Sequence, residues 1–136
     1  AFSGTRYQYP LNERGHFMIN RLHQNQRMSG VVTWPANGSM VVVSGQVADD
    51  RSLDVAGQTA DVLAKIDRLL ADACVSKADA LYAYIWLPDI GDFDAMNSVW
   101  DKWIVPGSAP ARACVEAKLA DPALKVEIQV FAHKAS

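Results

Sequence analysis

The chain has little of what marks several large functional classes. It holds two cysteines in 136 residues, Cys74 and Cys114. Two are too few for a disulfide framework, and without a CxxC spacing they carry no zinc signature. Lysine and arginine total 13 against 15 aspartates and glutamates, a net charge of −2. That balance provides no basic field for gripping nucleic acid. No run approaches the roughly 20 apolar residues of a membrane helix. The first residues also lack the charged region and apolar run of a secretory signal. His16, His23 and His133 stand near the ends and share no metal-ligand spacing. The expectation is a globule with reduced thiols in the cytoplasm, with no metal and no nucleic-acid or membrane partner.

What is present is apolar surface in regular patterns. Half of the chain is hydrophobic, enough for one domain with a real core. The opening "AFSGTRYQYPLNERGHF" follows neither a period of 2 nor one of 3.6. Residues 1–17 are therefore read as a leader or an appended segment, and residues 18–136 as a single domain. "VVTW" and "SMVVVSGQV" flank "PANG", a turn signal that predicts a hairpin. "GQTADVLAKIDRLLADA" places Val62, Leu63, Ile66, Leu69, Leu70 and Ala73 on one side of an amphipathic helix. "ALYAYIWL" alternates Leu81, Ala83, Ile85 and Leu87 against Tyr82, Tyr84 and Trp86 and stops at Pro88. It reads as a strand apolar on both faces, hence covered on both. In "DFDAMNSVWDKWIV", Asp92 stands at an N-cap, and Phe93, Met96, Trp100 and Trp103 recur at helical spacing as a core stripe.

The stretch "PARACVEAKLADPALKVEIQV" reads as two strands joined by a Pro-containing turn. On the first, Ala113, Val115, Ala117 and Leu119 oppose Arg112, Cys114, Glu116 and Lys118. On the second, Val126, Ile128 and Val130 oppose Lys125, Glu127, Gln129 and Phe131. Each strand thus sets a charged residue, Arg112 or Glu127, opposite an apolar stripe, and adjacent strands could aim both at one pocket. The order ββαβαββ predicts an α+β sandwich with two helices on one side of the sheet. Tyr82, Tyr84, Trp86, Cys114 and Phe131 are candidates for the other face, which a symmetric oligomer would bury.

"VSGQV" (43–47), "GQTADVLAKID" (57–67), "DFDAMNSVW" (92–100), "PARACVEAKL" (110–119) and "VEIQVFA" (126–132) resemble, in order and spacing, the blocks of the Rid family. These proteins are also called YjgF-type or reactive intermediate deaminases. The likeness runs from about Ile19 to Ala132. It implies a chorismate-mutase-like homotrimer with an inner β-barrel, helices outside, and sites in clefts between subunits. It implies hydrolysis of enamines and imines such as 2-aminoacrylate to 2-keto acids and ammonia, with no cofactor. By the same likeness, Arg112 binds the substrate carboxylate and Glu127 orients water. Cys114 helps hold the ligand, Ser44 and Gly45 form the turn near the pocket, and Asn97 belongs to the second-helix block. Archetypal members carry a G-P-Y-S-Q-type block whose tyrosine lines the pocket. Here "QRMSGVV" (26–32) stands instead, with Met28 or Arg27 near the tyrosine's place. In that respect the chain looks more like a sister branch with an R-M-S start.

The residue types suit the implied chemistry. A guanidinium meets a carboxylate through two parallel hydrogen bonds, which lysine cannot do. A carboxylate within hydrogen-bond reach of water can take its proton as the water attacks a C=N carbon. Blander assignments exist for each residue. Arg112 and Glu127 would also make a salt bridge between strands or subunits, and Glu116 competes for the water-orienting role. Cys114 would also serve as a small buried hydrophobe, Asn97 as a cap, and Ser44-Gly45 as a turn or bulge. At the level of the whole protein, the alternative is a non-catalytic trimer that binds small carboxylates. Ribonuclease activity, attached to some relatives, is disfavoured by the acidic balance and the lack of a basic, aromatic-lined track.

Overall fold

A computed structural model of the chain describes Leu11 and residues 18–136. The reading of residues 1–17 as a leader therefore lies, Leu11 apart, outside the described residues. The strands are β1 (Asn20–Gln24), β2 (Ser29–Thr33), β3 (Ser39–Val42), β4 (Ala80–Leu87), β5 (Ala111–Glu116) and β6 (Glu127–Lys134). Helix α1 spans Val55–Asp72 and α2 spans Phe93–Trp103. The main sheet runs β3-β6-β4-β5, antiparallel except for the parallel β4–β5 pair. Both helices lie on one side of it, as an α+β sandwich requires.

Periodicity explains the core. Asp54 caps α1 by accepting from the Gly57 N–H, satisfying one of the donors that a helix start leaves open. From there Val62, Leu63, Ile66 and Leu70 are buried against Ala83, Ile85, Leu87, Ile128 and Val130 of the sheet. Leu69, expected on the same stripe, is 38% exposed, because at 100° per residue it sits at the stripe's border. Gln58 is buried instead. Its side chain donates to the Leu53 and Ala123 carbonyls and accepts from the Lys125 N–H, tying the approach to β6 onto α1. Asp92 occupies the N-cap of α2 without a side-chain cap bond. The cap one turn earlier is Asp89, which accepts from Gly91.

Three sequence expectations are corrected. The "VVTW" and "SMVVVSGQV" runs do not pair with each other: β2 pairs with β1, and β3 with β6. Buried Pro35 has no N–H to offer a ladder, and Trp34 leans on Tyr82 with centroids 6.4 Å apart. Together they carry the chain across the sheet's end before Gly38, at φ +89°, turns it into β3. Second, β5 and β6 are not neighbours, because β4 lies between them. Third, β5 presents Arg112 and Cys114, paired with Ala83 and Ile85, to the helices, and leaves Val115 51% exposed. Cys114 therefore belongs to the helix side and not to the aromatic face.

That aromatic face is open. Tyr82 stacks on Phe131 at 4.2 Å, Tyr84 meets both edge-on, and Trp86 continues the row. Met40, Val42, Tyr84 and Val115 are 41–58% exposed there. The described residues cover only one face of β4, where the sequence predicted cover on both. Among the described residues, no helix is long and apolar enough to cross a membrane.

Candidate functional site

Arg112 is held by α2. Its Nη1 donates to Asn97 Oδ1 at 2.6 Å. Its guanidinium carbon lies 5.3 Å from the Trp100 ring centroid and 5.8 Å from that of Phe93. Aromatic faces carry negative charge density, so they shelter a partly desolvated cation that would otherwise be costly to bury. This explains how an arginine can face the helices: the strand is at the sheet's edge, and α2 supplies Phe93, Asn97 and Trp100 along one helical face. Arg112 Nε and Asn97 Nδ2 are both buried without a hydrogen-bond partner among the described residues.

Burial is the main influence on the Arg112 pKa and lowers it. Cys114 and Asp101 oppose that shift, while the Arg27 charge adds to it. Burial likewise raises the Cys114 pKa, with Arg112 acting in the other direction. Cys114 is thus a neutral thiol beside the guanidinium and not an activated nucleophile.

Sequence reasoning picked Arg112 and Asn97 but not the rings around them, nor Asp101. Arg27 pairs with Asp101 through Nε and Nη2 at 2.8 and 2.9 Å, and its carbonyl accepts from Trp100 Nε1 at 2.9 Å. Met28 follows in the same turn, half-buried, its N–H on Asn25 Oδ1. Ser29 then fastens the strand to the segment before Arg112, donating from N to the Pro110 carbonyl and from Oγ to the Ala109 carbonyl. A legible signal did exist: Phe93, Asn97, Trp100 and Asp101 fall at i, i+4, i+7 and i+8, so one polar amide interrupts an aromatic stripe.

Glu127 lies elsewhere. It pairs across from Trp86 on the open face, whereas Arg112 pairs with Ala83 on the helix face. Ser44 and Gly45 follow β3 at the far edge of the sheet, and a Cβ on Gly45 would overlap the Glu127 carboxylate. Gln46 holds that turn by pairing with Ile128 and donating to Ser44 Oγ at 3.2 Å. The sequence candidates thus fall into two separate groups within one chain: Arg112 and Cys114 on β5 with Asn97 of α2 and Met28 of the β1–β2 turn, and Glu127 at the start of β6 with Ser44 and Gly45 in the segment after β3. A salt bridge between Arg112 and Glu127 within one chain is excluded by their opposite faces. Glu116 is committed to accepting from the Ile90 N–H at 3.1 Å.

A hollow of about 430 Å³ lies apart from both groups, lined by Arg21, Asp79, Ser108 and His133 among others. Arg21 donates there to the Ala78, Ala80 and Ala109 carbonyls at 2.7–3.0 Å, so it serves as a staple. Among the described residues, no three His, Cys, Asp or Glu side chains gather where they could hold a metal.

Residues 18–134 match the family model described as Endoribonuclease L-PSP. The chain belongs to this family, the YjgF/Rid family. Its relatives include a "RutC family protein" of Haemophilus ducreyi, 41% identical over 115 residues, which are 85% of this chain and 96% of the relative. Another, "3-aminoacrylate deaminase RutC" of Acinetobacter baylyi, is 36% identical over 101 residues, 70% of this chain and 79% of that one. A solved YjgF-family structure from Neisseria meningitidis is 45% identical and superposes with a TM-score of 0.70, covering 89% of this chain and 98% of its own. The Rid resemblance read from five sequence blocks and the α+β fold are therefore both borne out.

Proposed function

We propose that this Rid-family chain hydrolyses reactive enamines and imines of the 2-aminoacrylate type to 2-keto acids and ammonia, without a cofactor. The observation that carries the reading is the Arg112 guanidinium, fixed by Asn97 and two rings and paired with no carboxylate among the described residues. The relative named for 3-aminoacrylate deamination supports the reaction class. Arg112 takes the substrate carboxylate by paired hydrogen bonds, with Cys114 and Met28 beside it. The enamine gains a proton on carbon and becomes the imine. Water oriented by Glu127 then adds to the C=N carbon, passing a proton to that carboxylate. The carbinolamine nitrogen takes up a proton, the C–N bond breaks, and ammonia leaves with the bonding pair as the carbonyl forms. Such imines hydrolyse unaided, so positioning and one acid–base group suffice.

This assignment needs more than one subunit. Glu127 with Ser44 and Gly45 comes to Arg112 only if the β3 edge of one copy meets the β5 edge of another. A homotrimer with the aromatic faces turned inward as a barrel satisfies that need and buries Tyr84, Val42, Met40 and Val115. The two free thiols suit a reducing, cytoplasmic setting.

The separation of Glu127 from Arg112 within the chain favours one other reading, a trimer that binds small carboxylates without turning them over. The deciding assay follows keto-acid and ammonia release from freshly generated 2-aminoacrylate and iminopropionate. Acceleration over buffer that Arg112→Ala abolishes supports the enzyme. No acceleration, with keto-acid binding retained, supports the binding protein.

A further inference from the structure

Two guanidiniums flank the Phe93 ring, each with its carbon 5.8 Å from the ring centroid. The second belongs to Arg27, in the turn between β1 and β2. Its side chain grips Asp101 through a fork of two hydrogen bonds, and its carbonyl grips the neighbouring Trp100 through Nε1. One residue thus pins two consecutive residues of α2, and the first of these carries the ring on which Arg112 rests. Asp101 and Arg27 also both act electrostatically on Arg112, and Asp94 acts on Arg27 from the first turn of α2. The Arg27 and Asp101 charges cancel within their ion pair. Asp101 occupies the Arg27 fork, so of these two guanidiniums Arg112 is the one without a carboxylate partner among the described residues.

We propose that the Arg27–Asp101 pair sets which acids the Arg112 site accepts: it fixes Trp100 against the guanidinium and leaves one free cation, so the site takes small acids with one carboxylate and disfavours those with two. The inference rests on Arg112 being the carboxylate anchor. Arg27 is a positioning residue here, because it reaches the ligand through Trp100 and through the charge it shares with Asp101. A second carboxylate would meet a fork already filled and the repulsion of Asp101, and juxtaposed like charges weaken association strongly.

The test is calorimetric titration of the full chain with 2-oxopentanoate and 2-oxoglutarate, acids of equal carbon number with one and two carboxylates. The wild-type chain is expected to prefer the monoacid by about tenfold or more. Asp101→Asn removes the repulsion and leaves the Arg27 charge unbalanced, and should shift the ratio toward the diacid by about tenfold. Arg27→Met leaves Asp101 uncompensated and should weaken both acids, the diacid more. Since the ratio is read within each variant, a partly unfolded preparation cannot mimic the shift, and Asp101→Ser serves if Asp101→Asn does not fold. A wild-type preference for the diacid, or an unchanged ratio in the Asp101 variant, overturns this inference alone. Binding of neither acid overturns the Arg112 assignment and this inference with it.

Discussion

The pairing of Asn97 with Arg112 can be tested as a free-energy coupling. Asn97 is 1% exposed, and its Oδ1 accepts from Nη1 of the half-buried Arg112 at 2.6 Å. A hydrogen bond to a charged group contributes about 1.5–3 kcal/mol. Asn97→Leu removes that acceptor and leaves the guanidinium with its rings alone. The amide Nδ2 lost at the same time has no partner among the described residues, so its removal offsets part of the cost. The net expectation is about 1–2 kcal/mol, a fall in Tm of roughly 3–8 °C for a domain of this size. Arg112→Met strands the buried Asn97 amide and costs about 1–3 kcal/mol. The double variant Asn97→Leu/Arg112→Met removes both polar groups and should cost less than the sum, a coupling of about 2 kcal/mol. Urea unfolding at one fixed protein concentration reads all three, because association shifts apparent stability by mass action. A coupling below about 0.5 kcal/mol, the scatter of independent sites, would show that α2 does not hold the guanidinium.

Other consequences follow from the turn packed on Glu127, the open face and the thiol. Gly45→Ala puts a Cβ into the Glu127 carboxylate; the flexible side chain can swing away, so Tm should move little while imine turnover falls about tenfold or more. Tyr84→Asp sets a charge in the exposed aromatic row and should shift the light-scattering mass toward monomer, with turnover lost in parallel. A raised Cys114 pKa keeps the thiol neutral through pH 7–8. Alkylation at Cys114 should therefore lag that at exposed Cys74 until the pH passes the ordinary thiol range, and Cys114→Ala should keep most of its turnover.

The elements were legible where one period ruled. The α1 stripe apart from Leu69, the β4 alternation and the β6 faces appear in the structure as the sequence spacing has them, because each buries one face against one neighbour. Sheet order was not legible, since pairing partners far apart in the chain leave no local trace. The hairpin assigned around "PANG" failed on that account. The orientation of β5 misled for a different reason. Ala113 and Val115 look like a core stripe and Arg112 like a surface charge, yet the rings of α2 make the helix side habitable for a guanidinium. Arg112 and Asn97 were found through family blocks, and Arg27 only as one of two residues near the archetypal tyrosine's place, whereas its pairing with Asp101 and the role of the two rings emerge only once α2 is laid beside β5 and the β1–β2 turn.

The central claim is that the Arg112 guanidinium anchors the carboxylate of a small keto or imino acid where two copies of the chain meet. A crystal structure of the protein soaked with 2-oxobutyrate tests it most directly. The account predicts the carboxylate in paired contact with Arg112, with the Glu127, Ser44 and Gly45 turn of another subunit facing the keto carbon. A ligand bound away from Arg112, or a guanidinium reached by no second copy, would contradict it.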